Sequence, residues 1–230
     1  YRDAGIEVAR NKAVWRQKYL KGNPTGKLKN IGKVSNRRGT SVTFHPDPKI
    51  FDVKARFRPS TLYRMARSKA YLFRGVYIRW NCDTELISEN DSTPEKATLH
   101  FPGGLMDYLA TMLENRVTIT PNAFFGQAKL NGGSGSIEWA VAWPKDEDYL
   151  FNSYCNTVPT PLGGTHEAGL RSALTRRLRA YGELINNKPA SKIMADDVVG
   201  SACLMLSVFF PTPQFQGQTK EKLTTVEDAM

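Results

Sequence analysis

Eight residues, Cys203-Leu204-Met205-Leu206-Ser207-Val208-Phe209-Phe210, run almost without polar interruption, and they constrain the fold more than any other segment. A strand with one wet face alternates polar and apolar residues, so a continuous run of this length reads as a β-strand buried on both faces. The strand delivers the chain through a Pro-rich turn to Pro213-Gln214-Phe215-Gln216-Gly217-Gln218-Thr219-Lys220-Glu221-Lys222-Leu223. Its Gln218-Thr219-Lys220 tip is a candidate phosphate contact, because a lysine ammonium is a compact charge with three donors on a flexible stem. The plainer reading is a solvated loop lysine. A buried strand ending in such a loop is how a rigid scaffold presents a functional side chain.

The 230 residues, 40% hydrophobic and 23% charged, are enough for two modest domains or one large one with a real core. No apolar stretch approaches bilayer length and no basic-then-apolar leader opens the chain, so neither a membrane nor secretion is expected. Cys82, Cys155 and Cys203 are odd in number and widely spaced, which favours neither disulfides nor zinc and points to a reducing cytoplasm. His45, His100 and His166 are scattered and read as strand-end or helix-start residues, so no metal is assigned to side chains. Charge is uneven. Of the net +10, residues 1–40 carry eleven basic side chains against Asp3 and Glu7, or +9. Such a face attracts polyanions, but without interleaved aromatics it carries no sequence readout.

Ile6–Arg10 and Ala13–Leu20 read as a hairpin across Asn11-Lys12. Gly22, Pro24 and Gly26 break the pattern, a basic loop follows to Arg38, and Val42–Phe44 is a strand closed by Pro46-Asp47-Pro48. From Ser60, placed as a cap, Leu62, Met65, Ala66, Lys69, Ala70 and Phe73 share a helical face, with Gly75 as the left-handed C-terminal residue. Val76–Trp80 and Ala97–Phe101 are strands, and Pro102-Gly103-Gly104 is the candidate domain boundary. Leu105 to Leu113 is a short amphipathic helix. Ile137, Trp139, Val141 and Trp143 alternate as a strand, with Tyr149–Asn156 as its expected antiparallel partner. The strongest helix follows Gly163-Gly164, with Thr165 as N-cap, Leu170, Ala173, Leu174, Leu178, Tyr181 and Leu184 on one face, and Arg171, Arg176 and Arg179 on the other. Asp196 and Asp197 open a further short helix. Asn131 to Ser136 lacks the Lys-Ser/Thr of a phosphate loop and reads as a turn. Asp146-Glu147-Asp148 reads as an acidic turn rather than a metal site.

Three segments, Asn36-Arg37-Arg38-Gly39-Thr40-Ser41-Val42-Thr43-Phe44, Gly163-Gly164-Thr165-His166-Glu167-Ala168-Gly169-Leu170 and Pro213 to Lys220, resemble in order and spacing the ATPase region of bacterial type II topoisomerase B subunits. Gln216, Glu221 and Gly169-Leu170 look more like the topoisomerase IV branch than the gyrase branch. The resemblance implies an α+β chain, with residues 1–102 as the C-terminal part of a GHKL α/β sandwich. Residues 103–230 would then be a ribosomal-protein-S5-like transducer domain. It further implies that Lys220 is catalytic and contacts the γ-phosphate of ATP, with Gln218 beside it. Thr40 would help read adenine, and Arg10 would lie at a pocket mouth where coumarin-type inhibitors bind. Mg2+ as cofactor, the DNA-cleaving A subunit of topoisomerase IV, double-stranded DNA and a homodimeric ATPase gate follow from the same resemblance. A cation on the γ-phosphate supplies charge stabilisation, which dominates phosphoryl transfer.

The resemblance also exposes a departure. An asparagine-bearing first helix, a D-x-G-x-G segment and a G-x-x-G-x-G lid are absent from these residues, so magnesium ligands and the general base would come from elsewhere. The segment alone is expected neither to hydrolyse ATP nor to cleave DNA. The rival reading is a non-enzymatic nucleic-acid-binding module that uses the basic first forty residues.

Overall fold

A computed structural model describes residues 1–130, 135–146 and 149–225. Most of the expected Gly-rich turn at 131–136, and Glu147 and Asp148 of the acidic turn, lie outside the described residues. The chain divides into two compact units, Tyr1–Arg58 and Pro59–Met230. Pro102-Gly103-Gly104 lies within the second.

In the first unit, β1 (Asp3–Arg10) and β2 (Ala13–Leu20) form the expected hairpin, paired from Asp3–Leu20 to Arg10–Ala13. Asn11 and Lys12 turn it with φ of 52° and 58°, the left-handed pair that matches strand twist. The basic segment holds two short strands, β3 (Asn23–Pro24) and β4 (Lys29–Lys33), both on the far edge of β2. β5 (Gly39–His45) pairs with the other edge of β1. Ala9 and Val14 are buried, whereas Val42 and Phe44 of β5 are exposed.

The second unit opens with α1 (Pro59–Leu72). The helix begins at Pro59, where a proline's missing N–H costs nothing, so Ser60 lies in the first turn rather than at the cap. Its buried residues are Ala70, Tyr71 and Leu72, while Leu62, Met65 and Phe73 are exposed. The expected apolar stripe is therefore displaced. Tyr71 stacks between Phe101 at 3.7 Å and Tyr108 at 4.5 Å, and that aromatic packing sets the helix's rotation. Gly75 is left-handed at φ +80°, as expected.

β6 (Ile78–Asn81) and β7 (Lys96–Leu99) make a separate hairpin, and α2 (Leu105–Met112) follows. The main sheet is built from β8 (Phe124–Lys129), β9 (Ser136–Ala142), β10 (Leu150–Cys155), β11 (Val158–Pro159) and β12 (Cys203–Phe209), in the order β11-β10-β12-β9-β8. Between β11 and β12 lie α3 (Thr165–Leu184) and α4 (Ala195–Val199), the latter capped by the Asp197 carboxylate accepting from the Met194 N–H. β8 carries no clean alternation, and its sequence gives no strand signal.

The apolar run behaves as expected. Cys203 and Met205 face a core with Leu72, Leu105 and Leu109 of α1 and α2, while Leu204 and Leu206 face Leu170, Val198 and Val199 of α3 and α4. The β9–β10 hairpin expectation fails. β12 sits between the two strands, antiparallel to β9 and parallel to β10, because the strand that buries both faces takes the centre of the sheet. Thr165 is the first residue of α3 and does not cap it. Gly164 occupies the cap position, and the Thr165 hydroxyl donates to the Thr225 carbonyl at 2.6 Å. Of the expected α3 face, Leu170 is buried while Leu178, Tyr181 and Leu184 are exposed. No described helix is long and apolar enough to cross a membrane.

Candidate functional site

β12 ends at Phe209, and the segment beyond it is a closed loop rather than a loose tail. Phe215 bridges antiparallel to Leu223, and the Gln216 N–H donates to the Lys222 carbonyl at 2.9 Å. Between these pairings Gln218, Thr219 and Lys220 form an exposed tip. Gly217 at φ +81° and Lys220 at φ +59° both adopt left-handed backbone. For a lysine that conformation is uncommon and costs energy, and such residues persist where the surroundings over-determine them.

The surroundings are the Gly163-Gly164-Thr165 segment at the start of α3. The Leu223 N–H donates to the Gly163 carbonyl at 3.0 Å, the Thr165 N–H donates to the Leu223 carbonyl at 3.1 Å, and the Leu162 N–H donates to the Glu221 carbonyl at 3.0 Å. The Leu223 side chain is fully buried with Cys155, Val208 and Phe210. The downstream leg of the lysine loop is thus bolted to the helix start. One segment carrying the family resemblance, Gly163 to Leu170, holds the residues that directly follow another, Pro213 to Lys220.

The Lys220 ammonium stands 6.0 Å from the centre of the Phe215 ring. Glu221, its neighbour, accepts from the Thr219 hydroxyl at 3.2 Å, and among the described residues no carboxylate pairs with Lys220. At its tip the loop presents the Lys220 ammonium and the Gln218 amide, both exposed. That combination suits a phosphate oxygen. No group of three or more His, Cys, Asp or Glu that could hold a metal occurs among the described residues.

Thr40 and Arg10 belong to the first unit. Val8 is the cross-strand partner of Thr40, and Arg10 lies two residues beyond Val8, so Thr40 and Arg10 share one face of the sheet. Both are exposed. A concavity of about 560 Å³ on that face is lined by Ile6, Val8, Arg10, Trp15 and Leu28, among others, and not by Thr40. On the opposite face Glu7 is ion-paired with Arg16 and, at 3.5 Å, with Arg37. Those arginines hold its carboxyl below the usual range, Arg16 foremost.

Sequence reasoning missed a polar cluster whose Thr160 and His166 flank the Gly163-Gly164 pair. Ser153 of β10 exchanges a 2.5 Å hydrogen bond with Thr160 and donates to Glu167 at 2.6 Å, and Thr160 meets His166 Nε2 at 3.0 Å. His166 is fully buried, and burial pushes its pKa down to about 4. Burial raises that of Glu167, against its hydrogen bond from Ser153 and the charge of Arg171. Asn156 escaped sequence reasoning as well. In the turn between β10 and β11 it binds the Phe210 backbone twice, accepting at 2.9 Å and donating at 2.8 Å. Its only sequence signal is the asparagine itself, a residue that tolerates left-handed backbone.

A family model described as DNA gyrase B matches residues 104–229. The chain is 51% identical over 225 residues to the B subunit of DNA topoisomerase 4 from Bartonella bacilliformis, covering 98% of this chain and 32% of that protein. It is 50% identical over 224 residues to the corresponding B subunit of Caulobacter vibrioides, covering 93% and 32%. Among solved structures it resembles the 43K ATPase domain of Thermus thermophilus gyrase B in complex with an aminocoumarin, with a TM-score of 0.77 at 25% identity. That match covers 97% of this chain and 58% of the other. The topoisomerase IV ATP-binding domain of Francisella tularensis, in complex with a small-molecule inhibitor, matches with a TM-score of 0.76 at 29% identity over the same shares. The chain spans about a third of the length of the curated relatives it matches.

Proposed function

The chain belongs to the DNA gyrase B family, and on that footing we propose that it forms the junction between the GHKL and transducer domains of a topoisomerase IV-type B subunit, where Lys220 contacts the γ-phosphate of ATP. Residues 1–102 are the C-terminal part of the GHKL domain and 103–230 the transducer, a boundary supported by the start of the matched family model at residue 104. The observation that carries the reading is the Lys220 loop. A cation without a described carboxylate partner is held at φ +59° on a hairpin bolted to α3.

When ATP is bound, it supplies the phosphoanhydride bond whose hydrolysis drives the cycle. Lys220 holds its ammonium against the terminal phosphate oxygens and offsets charge that grows as that bond breaks, and Gln218 donates an amide hydrogen bond beside it. Thr40 contributes a hydroxyl to adenine recognition, and Arg10 lines the mouth where coumarin-type inhibitors lie. The aminocoumarin on a gyrase B relative supports the inhibitor assignment. The ligands for Mg2+ belong to parts of the B subunit outside this segment. Since Lys220 arrives from the transducer, it distinguishes triphosphate from diphosphate and couples that difference to domain geometry. The complete protein works in the cytoplasm as a homodimeric gate on double-stranded DNA, together with the A subunit of topoisomerase IV.

Lys220→Ala in the complete B subunit is the test. Loss of about two to three orders of magnitude in the ATPase kcat is expected, in line with removal of one transition-state charge contact. Unchanged turnover would overturn the reading.

A further inference from the structure

The lysine loop has two fixed ends. The downstream end is fixed by backbone pairing to the start of α3, and the upstream leg pairs back onto it at Gln214–Thr224 and Gln216–Lys222. Where that leg leaves β12, at Phe210, the Asn156 side chain supplies two further hydrogen bonds. The parallel ladder between β10 and β12 runs out at Cys155–Val208, and the last backbone bond is from the Asn156 N–H to the Val208 carbonyl at 2.9 Å. Beyond that point the Asn156 amide takes over. It accepts from the Phe210 N–H and donates to the Phe210 carbonyl, mimicking a peptide group and extending the ladder past the end of the strand. The β9 register ends one residue earlier, at Phe209–Ser136.

The turn that carries this amide is itself held. Asn156 and Thr157 have φ of 48° and 65°. From α1 the Lys69 ammonium donates to the Thr157 hydroxyl at 2.7 Å and to the Thr157 carbonyl. Helix α1, the Asn156-Thr157 turn and the base of the lysine loop therefore form one continuous hydrogen-bonded chain.

Resting on the reading of Lys220 as a γ-phosphate contact, we infer that Asn156 is a positioning residue for Lys220: its paired bonds to Phe210 set the direction in which the loop leaves β12. Displacement at the root of the loop is carried to the tip, and a misplacement of roughly 1 Å at a reacting group is enough to cost on the order of a hundredfold in rate.

Asn156→Gly suits the left-handed backbone and deletes only the amide, so it separates positioning from turn formation. In the complete B subunit with its native partner and DNA, it should lower the ATPase kcat by about tenfold or more, with KM changed less than about threefold. Affinity for ADP, which lacks the γ-phosphate, should be unchanged. The double variant with Lys220→Ala should be no slower than Lys220→Ala alone, because the amide acts through the lysine. Asn156→Asp keeps the turn but sets an oxygen against the Phe210 carbonyl. It carries the same test if thermal melting finds the glycine variant unfolded. Full kcat in a folded Asn156 variant, or losses that add to that of Lys220→Ala, would overturn the inference. A fully active Lys220→Ala would instead overturn the phosphate reading on which it rests.

Discussion

Gly164 lies against the backbone of Leu223 so closely that a β-carbon there would stand 2.2 Å from the Leu223 carbonyl oxygen and 2.7 Å from its nitrogen. Both obstacles are backbone atoms already committed to hydrogen bonds with Gly163 and Thr165, so neither can move cheaply. Gly164 also sits at φ +144°, which disfavours a side chain. Gly164→Ala should destabilise the chain by about 3 kcal/mol through overpacking and backbone strain together. Urea unfolding measures it.

A second close approach joins α3 to the 3-10 turn Lys188–Lys192, where a β-carbon on Gly182 would lie 2.1 Å from the β-carbon of Ala190. Alanine is worth about 1 kcal/mol more than glycine within a helix, whereas overpacking costs about 1–3 kcal/mol. The clash wins. Gly182→Ala should lower stability by about 1–2 kcal/mol, and adding Ala190→Gly should bring it back to within about 1 kcal/mol of the parent.

His166 predicts a pH dependence. Its folded pKa, pushed down to about 4 by burial, lies below the ordinary value near 6.5. The unfolded chain therefore binds the proton more readily across that interval. The stability His166 contributes is complete above about pH 6.5 and falls as pH drops toward 4, by up to about 3 kcal/mol. Glu167, whose pKa burial raises, has the opposite sign, since its folded state takes up a proton more readily than the unfolded chain. Glu167→Gln should steepen the acid loss and His166→Asn should flatten it. Denaturation midpoints between pH 4 and 7 would read both slopes.

Lys69 reaches from α1 to Thr157 across 88 residues of sequence. Burial lowers its pKa, and its ammonium satisfies a carbonyl and a hydroxyl at once. Lys69→Met keeps the aliphatic stem and removes only the charge and its donors. A loss of about 1–2 kcal/mol is expected from the vacated hydrogen bonds. A thermal melt identical to that of the parent would refute the anchoring role.

Local chemistry is legible in the sequence and long-range closure is not. The β1–β2 hairpin, the left-handed Gly75 and the doubly buried β12 each follow from a few neighbouring residues. The partner of β10 does not. Adjacency along the chain favours a β9–β10 hairpin, and only the burial demands of β12 place it between them. Periodicity marks α1 as a helix but turns the wrong face inward, since the stacking of Tyr71 with Phe101 and Tyr108 has no periodic signature. At the candidate site, Lys220 and Gln218 stand out by motif. Asn156 does not, because its partner Phe210 lies 54 residues away. The Gly163-Gly164-Thr165 run is visible as family resemblance and as a helix start. Its grip on Leu223 becomes apparent only once the chain has returned to it.

The placement of β12 orders events during synthesis. β9 and β10 are made some fifty residues or more ahead of the strand that joins them, so a ribosome-bound chain shorter than residue 203 holds two sheet fragments with open edges and no shared centre. Closing those edges depends on strand pairings between residues roughly fifty or more apart in the chain, non-local contacts of the kind that form slowly. The lysine loop follows β12 directly, so the sheet is completed only as that loop emerges. A chain that stalls before that point has neither.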